Sequence, residues 1–199
     1  IGVVVGDTSL YEPAVTHQMT EAGIPYFIDR KKNLMGNPLV ELIRSLLAVV
    51  SQGFSYDSMF AWLKNPLSGM GREETDQLEN YVIALGIRGK KKWQEPWTRS
   101  YPGFVKTKIE QMNQWRQKAV EPFLFFYQCL TGEQESGRRP SVLTVRRWTE
   151  SVWRVLDLVG AEASLRGMAG EFAKQGLFHQ QKEYEQAYGK VMELFDQFV

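Results

Sequence analysis

Cysteine and histidine are scarce in this chain, and their scarcity removes whole classes of chemistry. There is one cysteine, Cys129, and two histidines, His17 and His179, in 199 residues. A single thiol excludes an internal disulfide and any metal cluster held by this stretch alone. Neither histidine has cysteines or carboxylates around it at metal-ligand spacing. Charge of one sign is also lacking. The formal net charge is +1, so there is no global basic field, and any nucleic-acid contact must be local. No apolar run is long enough to span a bilayer; Leu39 to Val50 comes nearest and is interrupted by Glu41 and Arg44. A basic stretch leading into an apolar signal core is missing too. So is a phosphate-cradling loop ending in Lys-Ser/Thr: Gly86 to Lys90 (GIRGK) has neither the spacing nor the hydroxyl. No internal repeat or low-complexity segment is present.

What remains is the composition of a globular chain, 43% hydrophobic and 24% charged, long enough for a substantial core. Ile1 to Val5 (IGVVV) has the pattern of a buried parallel strand. Asp7, Thr8 and Ser9 are candidate caps, and Pro13 suits the first turn of a following helix. Gly23 ends that helix, and Pro25 to Ile28 reads as a second strand. Strand, helix and strand make a crossover unit, with Ile1–Val5 and Tyr26–Ile28 expected to pair. From Asn37 onward the periodicity is helical. Leu39, Leu42, Ile43, Leu46, Leu47 and Val50 form one predicted stripe. Ser55 caps a short helix carrying Met59, Phe60 and Leu63. Lys92 to Pro102 reads as a connector. A long helix is predicted from about Phe104 and should break or kink at Pro122. Thr131 to Pro140 (TGEQESGRRP) reads as a mobile loop, Ser141 as the cap of a helix carrying Trp148, Val152, Val155, Leu156 and Val159, and Gly160 as its end. Two further helices follow, the last with Tyr184, Tyr188, Val191, Phe195 and Phe198.

The most informative stretch is Asp76 to Trp93 (DQLENYVIALGIRGKKKW). Leu78, Tyr81, Val82 and Leu85 define an amphipathic helix, Gly86 supplies a left-handed cap, and Ile87 packs back onto the last turn. Arg88, Lys90, Lys91 and Lys92 follow, then Trp93. Cations after a helix C-terminus complement its dipole and are ordinarily just solvated. Arg88 and Lys90–Lys92 are nevertheless the best candidate DNA contacts here, ahead of Arg138-Arg139 and Arg146-Arg147. Trp93 is expected to anchor the turn in the core rather than to stack on a base.

The block LENYVIALGIRG with Trp93, the upstream GIPYFID (Gly23–Asp29), Asn37-Pro38-Leu39 and the Tyr56, Phe60, Leu63 set resemble the AddB family, the B subunits of bacterial ATP-dependent helicase/nucleases. These ordered blocks cover roughly residues 1–100; beyond them the similarity is one of helical pattern. The resemblance implies that residues 1–36 begin the second RecA-like domain and that 37–199 form a helical insertion domain. The fold expected is thus mostly α with a small α/β start. The chain opens on Ile1 without an initiator methionine and is read as an internal piece of a longer protein. For the whole protein the resemblance implies unwinding and exonucleolytic processing of double-strand DNA ends for recombinational repair in the cytoplasm. It implies an AddA-type helicase/nuclease partner subunit and contact with double- and single-stranded DNA, and no membrane. ATP, Mg2+ and a 4Fe–4S cluster would be bound elsewhere, with no cofactor, metal or catalytic residue in this segment.

Three other readings bear on that implication. Asp7, Asp29 with Lys31, and Gln180 to Tyr184 (QQKEY) resemble fragments of a metal-dependent nuclease site, but such short matches are mostly accidental. An authentic UvrD-type helicase insertion is disfavoured because Leu34 to Asn37 replaces the glycine-rich turn usual in such helicases. A helical protein-interaction module unrelated to DNA stays open on the residues alone. His17 is read as packed or half-exposed, and Cys129 as a buried thiol among Phe125, Phe126 and Tyr127.

Overall fold

A computed structural model describes residues 2–28, 34–131 and 144–198. The chain divides into two compact units, Ile1–Leu34 and Met35–Val199. In the first, α1 (Thr8–Glu21) starts at Asp7, whose carboxylate accepts from the Ser9 amide at 2.9 Å. Pro13 lies inside this helix rather than in its first turn, and none of the helix is buried. His17 is exposed and faces Glu21 one turn on, at 3.3 Å.

The expected strand pair is not formed. Among the described residues there is no strand, and residues 2–5 and 24–28 are neither helix nor sheet. Two short strands without the rest of a sheet leave most of their backbone groups unpaired and are marginal in water. Ile1, Asp29 and Lys31 lie outside the described residues.

The second unit is helical throughout most of its described length. Asn37 caps α2 (Pro38–Ser51) by accepting from the Leu39 amide at 3.0 Å, with Pro38 in the first turn. Its buried seam is Leu39, Leu42, Leu46 and Val49, all fully buried. The predicted stripe is displaced at its far end: Leu47 is exposed, while Ile43 and Val50 are only partly covered. Spacing alone leaves the stripe's width open, and packing against α3 (Tyr56–Leu63), capped by Ser55, settles it. Both α3 and α4 (Arg72–Leu85) contribute to the same core, with Met59, Phe60, Trp62, Leu78 and Tyr81.

α6 (Ile109–Thr131) follows a short 3-10 turn at Lys106–Lys108 and runs without interruption through Pro122. Of the break or kink expected at Pro122, the break is absent. Phe123 and Phe126 are fully buried directly after the proline. Phe123 meets Phe54 and Trp62 edge-on at 5.4 and 5.1 Å. Anchors of this size, each worth about 3–5 kcal/mol against alanine, exceed the local cost of one missing helical bond, about 3 kcal/mol. Phe54 is itself held at φ 60°, fully buried, a conformation rare for an aromatic residue.

Thr144, not Ser141, caps α7 (Val145–Leu158), accepting from the Arg147 amide at 3.3 Å. Residues 132–143, which include Ser141, Arg138 and Arg139 and most of the expected mobile loop, lie outside the described residues. α8 (Ala161–Lys174) and α9 (Phe178–Asp196) pack against each other, with Leu165 and Ala169 of the one and Ala187 and Val191 of the other buried. No helix among the described residues is long and apolar enough to cross a membrane.

Polar contacts tie α3 to α4, and those of Glu79 are the shortest. Glu79 accepts from the Tyr56 hydroxyl at 2.6 Å and from Lys64 Nζ at 2.7 Å. Burial by itself would raise the Glu79 pKa, but the hydrogen bonds from Lys64 and Tyr56 outweigh it and hold the carboxyl below its ordinary value. A carboxyl depressed in the folded state stabilises the fold above its unfolded pKa, and that contribution is lost as pH falls through the folded pKa. Glu79→Gln should therefore flatten part of the acid-side loss of stability, seen as a smaller shift of the denaturation midpoint between neutral pH and the carboxylate range. An acid limb identical to wild type would show that the contact contributes nothing to folding.

Candidate nucleic-acid interface

The basic turn begins where the periodicity of α4 stops. Gly86 adopts φ 60°, ψ 42°, the left-handed region that glycine enters without a Cβ penalty. Its amide donates to Ile83 O and that of Ile87 to Val82 O, at 3.2 and 3.0 Å. This is the two-bond glycine cap expected from sequence, and Ile87 is buried beneath it. Gly89, at φ 85°, then turns the chain a second time. Its amide donates to the carbonyl of Phe54 at 3.2 Å.

Beyond Gly89 the chain forms a short helix, α5 (Lys90–Gln94), which takes in the first three residues of the connector expected over Lys92–Pro102. Successive helical residues point about 100° apart, so the lysines splay instead of lining up. Lys90 sets its ammonium 3.6 Å from the centre of the Tyr127 ring. Lys91 approaches Glu95 at 3.8 Å, and Lys92 donates to Gly86 O at 3.3 Å, complementing the end of α4. Arg88, Lys91 and Lys92 are exposed and Lys90 is half-buried. The spread of these cations is thus set by a helix that the sequence pattern did not foretell. Its signal, Gly89 followed by three good helix formers and a buried tryptophan, is present but too short to separate from a loop.

Trp93 is fully buried, as an anchor would be. It packs between Phe60 at 6.3 Å and Trp97 at 5.4 Å. Trp97 in turn stacks on Tyr81 at 5.1 Å with an 18° interplanar angle, and its indole N–H donates to Lys92 O at 2.8 Å. Tyr81 donates its hydroxyl to Arg99 O.

Arg116, on α6, was not singled out by sequence reasoning. It is 4% exposed, and its guanidinium donates to the carbonyls of Trp93 and Gln94 at 2.7 and 3.0 Å and to Asn113 Oδ1 at 3.1 Å. Burial pushes its pKa below the usual arginine value. Asn113 extends the clamp, accepting from the Trp97 amide and donating to Trp97 O, both at 2.8 Å. A buried arginine serving carbonyls on a separate helix leaves no periodic signature in a sequence.

The nuclease-like fragments belong to different units, and Asp29 and Lys31 lie outside the described residues. Gln180 to Tyr184 lies on α9, where Tyr184 meets Phe172 edge-on at 5.0 Å, a packing role. Asp7 caps α1. Among the described residues no group of three or more His, Cys, Asp or Glu side chains is placed to hold a metal ion. Cys129 is half-buried rather than enclosed, and its carbonyl accepts from Arg147 Nε at 3.2 Å. Arg146 pairs with Glu150 at 3.0 Å on the exposed side of α7.

No family model matches the chain. Curated relatives match it from end to end. The B subunit of an ATP-dependent helicase/deoxyribonuclease from Clostridium novyi is 37% identical over 199 residues, all of this chain and 16% of the relative. Proteins of the same name from Lachnoclostridium phytofermentans and Symbiobacterium thermophilum are 35% and 36% identical, again over the whole chain, which covers 17% and 18% of their lengths. The chain is an AddB-family segment. It spans about one sixth of the relatives it matches. Their similarity extends past residue 100, where the ordered blocks end, through α6 to α9.

If the Arg116 clamp holds α5 in place, Arg116→Ala strands the buried Trp93 carbonyl at about 1–3 kcal/mol, with a smaller loss at the part-buried Gln94 carbonyl. Arg116→Lys should recover only a fraction, because an ammonium lacks the planar fork. Denaturant midpoints of the three proteins test this, and full recovery by lysine would show that charge alone suffices.

Proposed function

We propose that this chain is a non-catalytic helical segment of an AddB-type subunit, within an ATP-dependent helicase/deoxyribonuclease that processes double-strand DNA ends for recombinational repair. The observation that carries the reading is the end-to-end match of the chain to about one sixth of proteins bearing that name. The lack of a phosphate loop in the sequence agrees with chemistry located elsewhere. On this reading ATP, Mg2+ and a 4Fe–4S cluster belong to other parts of the subunit or to an AddA-type partner, and the complex works on double- and single-stranded DNA in the cytoplasm.

The N-terminal unit fits the start of a second RecA-like domain, residues 1–36, with 37–199 as the helical insertion. Supporting this are the exposed apolar side chains Val3, Val4, Ile24, Tyr26 and Phe27. Such a set is costly in water and is what strands awaiting the remainder of a sheet would present.

Arg88, Lys90, Lys91 and Lys92 are assigned to DNA backbone contact, with unequal shares. Lys90 is engaged by Tyr127, so Arg88, Lys91 and Lys92 carry the exposed charge. If two of these meet phosphates, alanine at Arg88, Lys91 and Lys92 in the complete complex should reduce the log–log salt slope of duplex-end binding by about 1.8, at ~0.9 per contact. Lys90→Ala should instead act mainly on stability, by roughly 0.5–2 kcal/mol. An unaltered slope in the triple variant would leave the cluster as a solvated helix end.

A further inference from the structure

Beside the basic turn lies an open pocket of about 230 Å³ that neither the family resemblance nor the phosphate reading explains. Leu85, Ile87 and Pro96 give it apolar walls, with the Tyr81–Trp97 stack beneath. Lys92 and Arg99, both exposed, place two cations along it, and Glu95 adds one carboxylate. The pocket is smaller than the roughly 300–1,000 Å³ typical of drug-sized ligands. It suits one flat ring with an anion attached.

The surrounding structure is fixed independently of any ligand. Tyr81 is fully buried and bonded through its hydroxyl to Arg99 O. Trp97 is 7% exposed and bonded at its indole to Lys92 O, with its backbone held by Asn113. The elements that carry the two cations are therefore tied to the aromatic floor. Preorganisation of this kind reduces the ordering cost of binding.

We propose that this pocket receives a single unstacked nucleotide of a DNA strand, its base against Leu85, Ile87 and Pro96 and a flanking phosphate at Lys92 and Arg99. An apolar recess edged by cations is the combination that single-strand recognition requires, since every base offers an apolar face and every linkage a charge. The Glu95 carboxylate accepts hydrogen bonds only, and so favours bases that present an N–H at their edge. A duplex offers no such base without unpairing. The pocket accordingly distinguishes unwound strand from duplex, whereas the exposed cations of the turn do not. This goes beyond the phosphate reading of the turn but rests on the same assignment to a DNA-processing subunit.

The test uses the complete heteromeric complex without divalent metal, so that strands stay intact. A single-stranded oligonucleotide carrying 5-iodouracil is photo-crosslinked and the adducts are mapped by mass spectrometry. Its equilibrium binding is compared with that of an abasic strand of equal length and charge. Crosslinks are expected between residues 81 and 99. They should be lost in Thr98→Phe, which fills the pocket from its exposed rim, and in Leu85→Trp, which fills it from α4. Both variants should also narrow the preference for the base-bearing strand by about tenfold, the scale of one base contact. Thr98 is exposed, so its replacement keeps the test valid should Leu85→Trp fail to fold. Crosslinks elsewhere only, or crosslinks that persist in the folded Thr98→Phe protein, overturn the proposal. The salt slope is read separately in Arg88→Ala, Lys91→Ala, which leaves the pocket's Lys92 in place, so either reading can fail while the other stands.

Discussion

The placement of α5 depends on one buried guanidinium. Arg116 reaches from α6 to the last carbonyls of α5, which a five-residue helix cannot satisfy by itself. Isolated helices of that length have essentially no stability in water. The helix exists because its C-terminal end meets a fixed cation, its N-terminal glycine bonds to Phe54, and Trp93 fills the core between them. Remove the cation and the Trp93 carbonyl is left buried without its donor, with the part-buried Gln94 carbonyl beside it. The arrangement joins α3, α4, α5 and α6 through a few polar contacts set within an aromatic cluster, so the exposed lysines stand on a rigid base.

That base also accounts for an unusual backbone geometry. Phe54 occupies a left-handed conformation that costs of order 1–3 kcal/mol for a side chain of its kind. Its ring is wholly buried against Phe123, and its carbonyl receives the Gly89 amide. Burial of a large aromatic offsets a penalty of that size. Glycine at position 54 would relieve the backbone but forfeit the ring, and it is the ring that holds α6 near the turn.

The helical part of the fold was legible because its signals are periodic and local. Asn37 with Pro38, Ser55, and the Gly86–Ile87 stop each announce a helix end through hydrogen bonds made within a few residues. Trp93 was correctly read as an anchor. Long-range contacts were not legible. Pro122 was expected to break or kink α6, and neighbouring aromatic burial carries the helix through it without a break. The strand pattern of residues 1–5 and 24–28 reports a preference that only a complete sheet can realise, and the described residues contain none. At the candidate site the cations were visible, but their partners Tyr127 and Gly86 O, and the clamp by Arg116, involve elements whose meeting no spacing rule encodes.

The same distinction orders the surface. A cation's value for nucleic-acid contact depends on what already occupies it. Lys90 sits over an aromatic ring whose hydroxyl is pushed by burial to a raised pKa and so stays neutral. Lys92 lies at the C-terminal end of α4, where the helix field and a carbonyl hold it while leaving it exposed. It is also the cation shared by the turn and the adjoining pocket. A charge held in place at low entropic cost can meet a phosphate without being ordered afresh, whereas a freely rotating lysine loses up to about 2 kcal/mol of side-chain entropy on immobilisation. The glycine cap of α4 therefore does more than end a helix. By leaving its last carbonyl available to Lys92, it places one positive charge where an apolar recess and a charged ridge adjoin.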